Sequence, residues 1–305
     1  MHIHDIFKDR SSSFSFEFFP PASQQGADDL MGTVNELHGL RPSFVSITYG
    51  AGGTTRDRTH DLVERITTQT PLAAVPHLTC VRHNADEITQ ILSQYAQLGV
   101  GNILALRGDA PKDDPSYNPD EDDFRFAADL VRHIKQFNDR AIHPDPRGFG
   151  IGVAGFPEGH PATPNRLIEM DHLKAKVDQG ADWICTQLFF TNEAFYDFCE
   201  RCELAGITVP IIAGIMPITS TKNLVRMADL AAGVRIPAKL LKALERCDDN
   251  PDSVRKVGIH WATQQSLDLL DKGVSGIHFY TLNRSTATQE IYASLGVADS
   301  TSLGG

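Results

Sequence analysis

The chain has 305 residues, 41% hydrophobic and 22% charged, which is globular composition with apolar material for a large core and excludes a disordered chain. A net charge of -11 with no Lys/Arg-rich run excludes nucleic acid as a partner, because phosphate neutralisation needs a basic face. No segment has the length and apolarity of a membrane span, and the opening MHIHDIFKDR lacks the basic-then-apolar order of a signal peptide, so a soluble cytoplasmic protein is expected.

Residues 1–12 are expected to be a flexible tail, with His2 and His4 forming an H-x-H ahead of the first strand. SFSFEFFPP, residues 13–21, predicts a strand over Phe14 to Phe18 that stops at two prolines and carries one carboxylate, Glu17. A second strand, Phe44 to Tyr49, runs into the glycine-rich GAGGTT, residues 50–55, which lacks the lysine of a phosphate loop. After a third strand, Leu72 to His77, Asn84 and Glu87 have capping-box spacing. Ile88, Ile91, Leu92, Tyr95 and Leu98 then make one helical stripe that Gly99 ends.

A fourth strand, Asn102 to Leu106, precedes the acidic APKDDPSYNPDEDDF, expected as mobile surface or a lid. The fifth, Gly150 to Ala154, lies in GIGVAG, a literal G-x-G-x-x-G. FPEGHP follows it where a dinucleotide fingerprint would open a helix, so close strand packing is expected instead. A sixth strand, Trp183 to Gln187, leads to a helix with Phe195, Phe198, Cys199 and Cys202 on one face, and that C-x-x-C reads as core packing, not a redox or zinc site. Between the seventh strand, Val209 to Gly214, and the eighth, Gly276 to Tyr280, lies room for extra helices, with Pro237 and Pro251 at first-turn positions. Residues 298–305 are expected to be a second flexible tail.

Eight β-then-α units with no linker predict one closed (β/α)8 TIM barrel over residues 1–305, a single catalytic domain; an open doubly wound sheet is the rival pattern. Alternation turns Phe14, Phe16 and Phe18 one way and Ser13, Ser15 and Glu17 the other, which in a barrel puts Glu17 at the C-terminal mouth. Thr48, His77, Asp109, His160, Gln187 and Arg284 fall at or just past other strand ends. No lysine ends a strand to serve as a Schiff-base nucleophile, and no G-x-S-x-G elbow occurs. A metal hydrolase stays open through His2, His4, His77 and His160, although the H-x-H precedes its strand and no carboxylate set has ligand spacing.

FEFFPP, SITYGAGG, PHLTC, LALRGD, FPEGHP, TQLFF, GIMPI and HFYTLNR, in this order, resemble the bacterial methylenetetrahydrofolate reductases from about residue 14 to about residue 296. The resemblance implies a (β/α)8 barrel holding FAD, in which NADH or NADPH reduces the flavin and the reduced flavin converts 5,10-methylenetetrahydrofolate to 5-methyltetrahydrofolate in ping-pong order. It implies a place in one-carbon metabolism and methionine synthesis, and a homo-oligomer, dimer or tetramer. Glu17 would be the general acid that protonates the folate, with partial desolvation by the flanking Phe14, Phe16, Phe18 and Phe19, and Asp109 would sit by the isoalloxazine and pterin. Gln187, Arg284 and Thr48 would contact folate or nicotinamide. FAD would be held by Thr48, Tyr49, His77, Arg107, Gly108, Asp109, Phe126, Ala127, Phe156, His160, His172 and Lys176. Phe126 and Phe156 stand where relatives often carry Tyr, and Thr221 falls where they often carry an aromatic. No regulatory domain and no S-adenosylmethionine control are expected. A flavin- or folate-binding subunit that takes its electrons from a partner is the non-enzymatic alternative.

Overall fold

Eight parallel strands close into a barrel in strand order β1 to β8 in the computed structural model, which describes residues 1–50, 56–111, 114, 116–231 and 233–304. The strands are β1 Ser13–Phe18, β2 Phe44–Ile47, β3 Ala74–Thr79, β4 Asn102–Leu106, β5 Gly150–Gly155, β6 Trp183–Thr186, β7 Ile211–Ile215 and β8 Gly276–Tyr280. β4 and β8 match their predicted bounds, the others shift by one or two residues, and the open-sheet rival is excluded by the pairing of β1 with β8.

Helix α1 Ile3–Asp9 precedes β1, and helices follow the strands: α2 Gln24–His38, α3 Arg56–Gln69, α4 Ala85–Gln97, α5 Ala127–Asn138, α6 Arg166–Asp178, α7 Asn192–Leu204, α8 Thr221–Leu230, α9 Ala238–Glu245, α10 Pro251–Asp271 and α11 Thr286–Ser294. Local chemistry sets their ends. Asn84 accepts from the Glu87 amide at 2.9 Å while the Asn84 amide donates to Glu87 Oε2 at 3.0 Å, the predicted capping box of α4. The extra helices before β8 are α8 to α10; Pro251 opens α10 as expected, while Pro237 caps α9 one position earlier. None of the described helices is long and apolar enough to cross a membrane.

Outward strand side chains, Phe18 among them, pack beneath the helices, where Phe14, Phe16 and Phe279 meet Tyr292 of α11. GIGVAG is strand β5: a Cβ on Gly152 would lie 2.4 Å from the Trp183 ring, so only glycine admits the indole into the barrel interior. Phe195, Phe198 and Cys202 are buried in the outer core with Cys199 against it, and both cysteines are free thiols.

Both ends differ from the flexible tails expected. Helix α1 inserts Ile3 and Ile6 into the N-terminal end of the barrel against Phe44, Val75, Leu104, Trp183 and Ile212. Arg147 clamps it by donating to both Asp5 oxygens, at 2.7 and 3.0 Å, and His4 Nε2 meets Asp182 at 3.0 Å. The H-x-H thus belongs to the plugged end, away from the mouth. At the other terminus Ser300 is buried, and its amide and hydroxyl both donate to Leu40 O. The acidic loop after β4 is tied down where described, by Arg82 on Asp114 and by Asp123 accepting from the first amide of α4; its residues 112, 113 and 115 lie outside the described residues, as do 51–55 of GAGGTT and 305.

The plug generates a stability prediction. Ile6→Ala should cost about 2–5 kcal/mol through lost burial and a residual cavity, read as a lower urea midpoint with an unchanged denaturant slope.

Candidate functional site

Strand register assembles the first part of the site. Pairing of β1 with β8 sets Ser15 beside His278 and Glu17 beside Tyr280, and pairing with β2 sets Glu17 beside Ser46. All of these side chains alternate inward, so three strands contribute one polar layer above the apolar plug. His278 is hydrogen-bonded through Nδ1 to Ser15 Oγ at 2.7 Å and through Nε2 to Ser46 Oγ at 3.0 Å. Its ring also stacks on Phe44, 5.7 Å between centroids.

Glu17 lies directly over this string. Its Oε2 is 3.4 Å from His77 Nε2 and 3.8 Å from His278 Nε2, and its side chain keeps 21% exposure at the mouth where His278 keeps 1%. Thr281 donates its hydroxyl to Glu17 O at 2.6 Å, and Asn283 brackets Phe19 by accepting from its amide and donating to its carbonyl. Those bonds lock the end of β1 to the turn after β8, in which Leu282 and Asn283 adopt positive φ. Tyr280 donates to Thr186 O at 2.6 Å, and burial pushes its phenol well above its ordinary range. Burial likewise pushes His77 down to about 4, against the opposing pull of Glu17.

The phenylalanines do not form the desolvating shell expected of them around Glu17. Phe14, Phe16 and Phe18 point away from the carboxyl into the outer core, and Phe19 is 37% exposed beyond the strand. The groups lining the carboxyl are His77 and His278, with Cys185 and Tyr280 close enough to feel its charge.

A second group gathers on the rim past β4 and β5. Gly108 turns at φ +90°, and a Cβ there would meet the Thr79 side chain at 2.9 Å, so the chain between Arg107 and Asp109 needs glycine. Phe126, at the N-cap of α5 and 43% exposed, lies 5.4 Å from the His172 ring, and Phe156 meets His160 edge-on at 4.6 Å. Ala127 opens α5 beside Phe126. His160 is lowered by burial and by the Lys176 and Arg107 cations, which places these charges in one field with Asp109 opposing them. Lys176 reaches from α6 to donate to Ala154 O at 2.5 Å; its ammonium is enclosed, and burial brings it down to about 8. Among the described residues neither Arg107 nor Lys176 has a carboxylate at ion-pair distance. In a chain of net charge -11 such a cluster fits a bound phosphate or diphosphate, which would supply the missing counter-charge.

Other predicted positions lie apart. Gln187 accepts from the Leu188 amide at 2.8 Å, and its Nε2 donates to no protein group among the described residues. Thr48 is half-buried at the end of β2. Tyr49, buried, turns outward to hydrogen-bond His83 Nε2 at 3.0 Å, beside a cavity of about 250 Å³ lined by Arg56, His60 and Tyr95. Arg284 and Thr221 are exposed, one after β8 and the other in the first turn of α8. Strand-end reasoning missed Ser46, His278 and Tyr280. Alternation within GIHFY, anchored on its register with β1, is the signal that finds the last two.

The chain matches the family model described as methylenetetrahydrofolate reductase over residues 2–296. It is 39% identical over 283 residues to the 5,10-methylenetetrahydrofolate reductase of Escherichia coli K12, covering 93% of this chain and 90% of that one. It is 37% identical over 311 residues to methylenetetrahydrofolate reductase (NADH) 1 of Arabidopsis thaliana, covering 99% of this chain and 51% of that one, so it spans about half the length of that plant relative. Its fold is similar to that of an uncharacterized protein from Clostridium thermocellum that binds two copies of 5-methyl-5,6,7,8-tetrahydrofolic acid, with TM-score 0.66 and 17% identity over 97% of each chain.

The Lys176 ammonium, held on a carbonyl and not on a carboxylate among the described residues, generates a prediction for the cofactor-free chain. The folded state disfavours charge on Lys176, so its cost is fully present below about pH 8 and is relieved as pH rises from there toward the ordinary lysine value of 10.5. Lys176→Met should raise the thermal midpoint near neutral pH and flatten the gain in stability that the unsubstituted chain shows above about pH 8, measured by circular dichroism melts.

Proposed function

The chain belongs to the methylenetetrahydrofolate reductase family, and from that premise we propose that it reduces 5,10-methylenetetrahydrofolate to 5-methyltetrahydrofolate with NADH or NADPH through bound FAD. The observation that carries this is a partly exposed carboxyl, Glu17, seated at the mouth on an otherwise buried, hydrogen-bonded histidine and serine layer. Bound FAD would supply two-electron storage between the nicotinamide and the folate.

The protein's own groups handle binding and the proton. The Glu17 carboxyl gives its proton to an amine nitrogen of the folate's five-membered ring, which opens to the iminium that accepts hydride. His278, held at both nitrogens by Ser15 and Ser46, keeps a rigid floor under that carboxyl, so its orientation does not change as the proton leaves. Arg107 and Lys176 would hold the cofactor's phosphates, and Phe126, His172, Thr48, Tyr49, Gly108, Ala127, Phe156 and His160 would contribute to holding the rest of it. Asp109 would sit by the isoalloxazine and pterin. Gln187 offers its amide nitrogen to folate or nicotinamide, and Arg284 offers a cation to the folate carboxylates. The same reading makes the protein a cytoplasmic dimer or tetramer in one-carbon metabolism, serving methionine synthesis.

Glu17→Gln separates the two half-reactions. NADH should still bleach the flavin in anaerobic stopped flow, because that step needs no acid for the folate, while flavin reoxidation by methylenetetrahydrofolate should slow on the order of 10²-fold or more. Equal slowing of both would move Glu17 from acid catalysis to cofactor binding.

A further inference from the structure

The two histidines beside Glu17 are held in different ways. His278 has both ring nitrogens engaged by serines on neighbouring strands. His77 Nε2 is buried and has no hydrogen-bond partner among the described residues, yet it lies 3.4 Å from Glu17 Oε2, the closer of the two histidine approaches to that oxygen. A buried ring nitrogen left without a partner is costly. Register brings His77 level with Leu104 of β4, which packs inside the barrel, so an aliphatic residue would suit the packing at this interior position. What the packing leaves unexplained is the nitrogen, and the group it faces is the carboxyl.

We propose that His77 is a positioning residue for Glu17, holding Oε2 through its Nε2 so that Oε1 is turned to the ligand. That role rests on Glu17 acting as the acid for folate, and it differs from the flavin contact that the family resemblance implies for His77. A neutral imidazole suits both states of its partner: Nε2–H donates to the carboxylate, and in the other tautomer Nε2 accepts from the carboxylic acid. A movement of a few tenths of an ångström brings the pair from 3.4 Å to hydrogen-bond distance. Burial keeps the ring neutral, so it does not hold as imidazolium the proton that Glu17 must deliver.

His77→Leu and His77→Gln, each purified with its flavin, test this against the unsubstituted holoprotein. His77→Leu should lower kcat with methylenetetrahydrofolate on the order of 10-fold to 100-fold at little-changed KM, and should slow flavin reoxidation by the folate more than flavin bleaching by NADH. His77→Gln, whose amide nitrogen reaches the same oxygen, should recover most of the loss. Flavin loss, equal slowing of both half-reactions, an unchanged folate kcat, or a glutamine no better than leucine would each overturn it. Nitrogen-15 NMR of the histidine rings tests the contact without turnover: Glu17→Gln should shift His77 Nε2, and an unmoved resonance refutes the pairing. A holoprotein that NADH does not bleach would sink the reductase reading by itself, and the NMR comparison would still decide whether His77 holds Glu17.

Discussion

A closed barrel of parallel strands leaves each strand side chain two destinations, inward to a narrow lumen or outward beneath the helices, and a shift of one residue exchanges them. Everything at the mouth depends on that choice in β1. Phe14, Phe16 and Phe18 occupy the outer core with Phe279 and Tyr292, which fixes Ser15 and Glu17 in the lumen. The aromatic half of SFSFEF therefore orients the polar half from the other side of the sheet, by refusing the interior.

A polar layer inside a barrel is tolerable only when its members satisfy one another. Ser15, His278 and Ser46 do so across three strands, and a hydrophobic floor of Phe44 and Trp183 lies close beneath. Glu17 differs from them in keeping part of its surface at the mouth, where a bound molecule can reach it. The β4 and β5 rim follows a contrasting logic, because Lys176 sits enclosed on a carbonyl and Arg107 stands exposed with no carboxylate at ion-pair distance among the described residues. Structural charges are usually neutralised within the protein, whereas charges meant for a ligand are left to it.

The barrel was legible in the sequence because period-two strands and capped helices are local signals, and the Asn84/Glu87 capping box is a bond between near neighbours. Glu17 was legible at the mouth for the same reason. Its surroundings were not, since His77 and His278 reach it across strands distant in the chain, and only register makes them neighbours. Reading the phenylalanines as its desolvating shell confused adjacency in sequence with adjacency in space. Inspecting only strand ends also passed over His278, one turn of the alternation deeper than Tyr280. The docked ends were illegible because burial of Ile3, Ile6 and Ser300 depends on distant partners that composition does not reveal.

The plug of Ile3 and Ile6 turns the lumen from a tube into a well. In a well, the Ser15, His278 and Ser46 string lies between the plugged end and Glu17, so the carboxyl stands on the side of that string that faces the mouth.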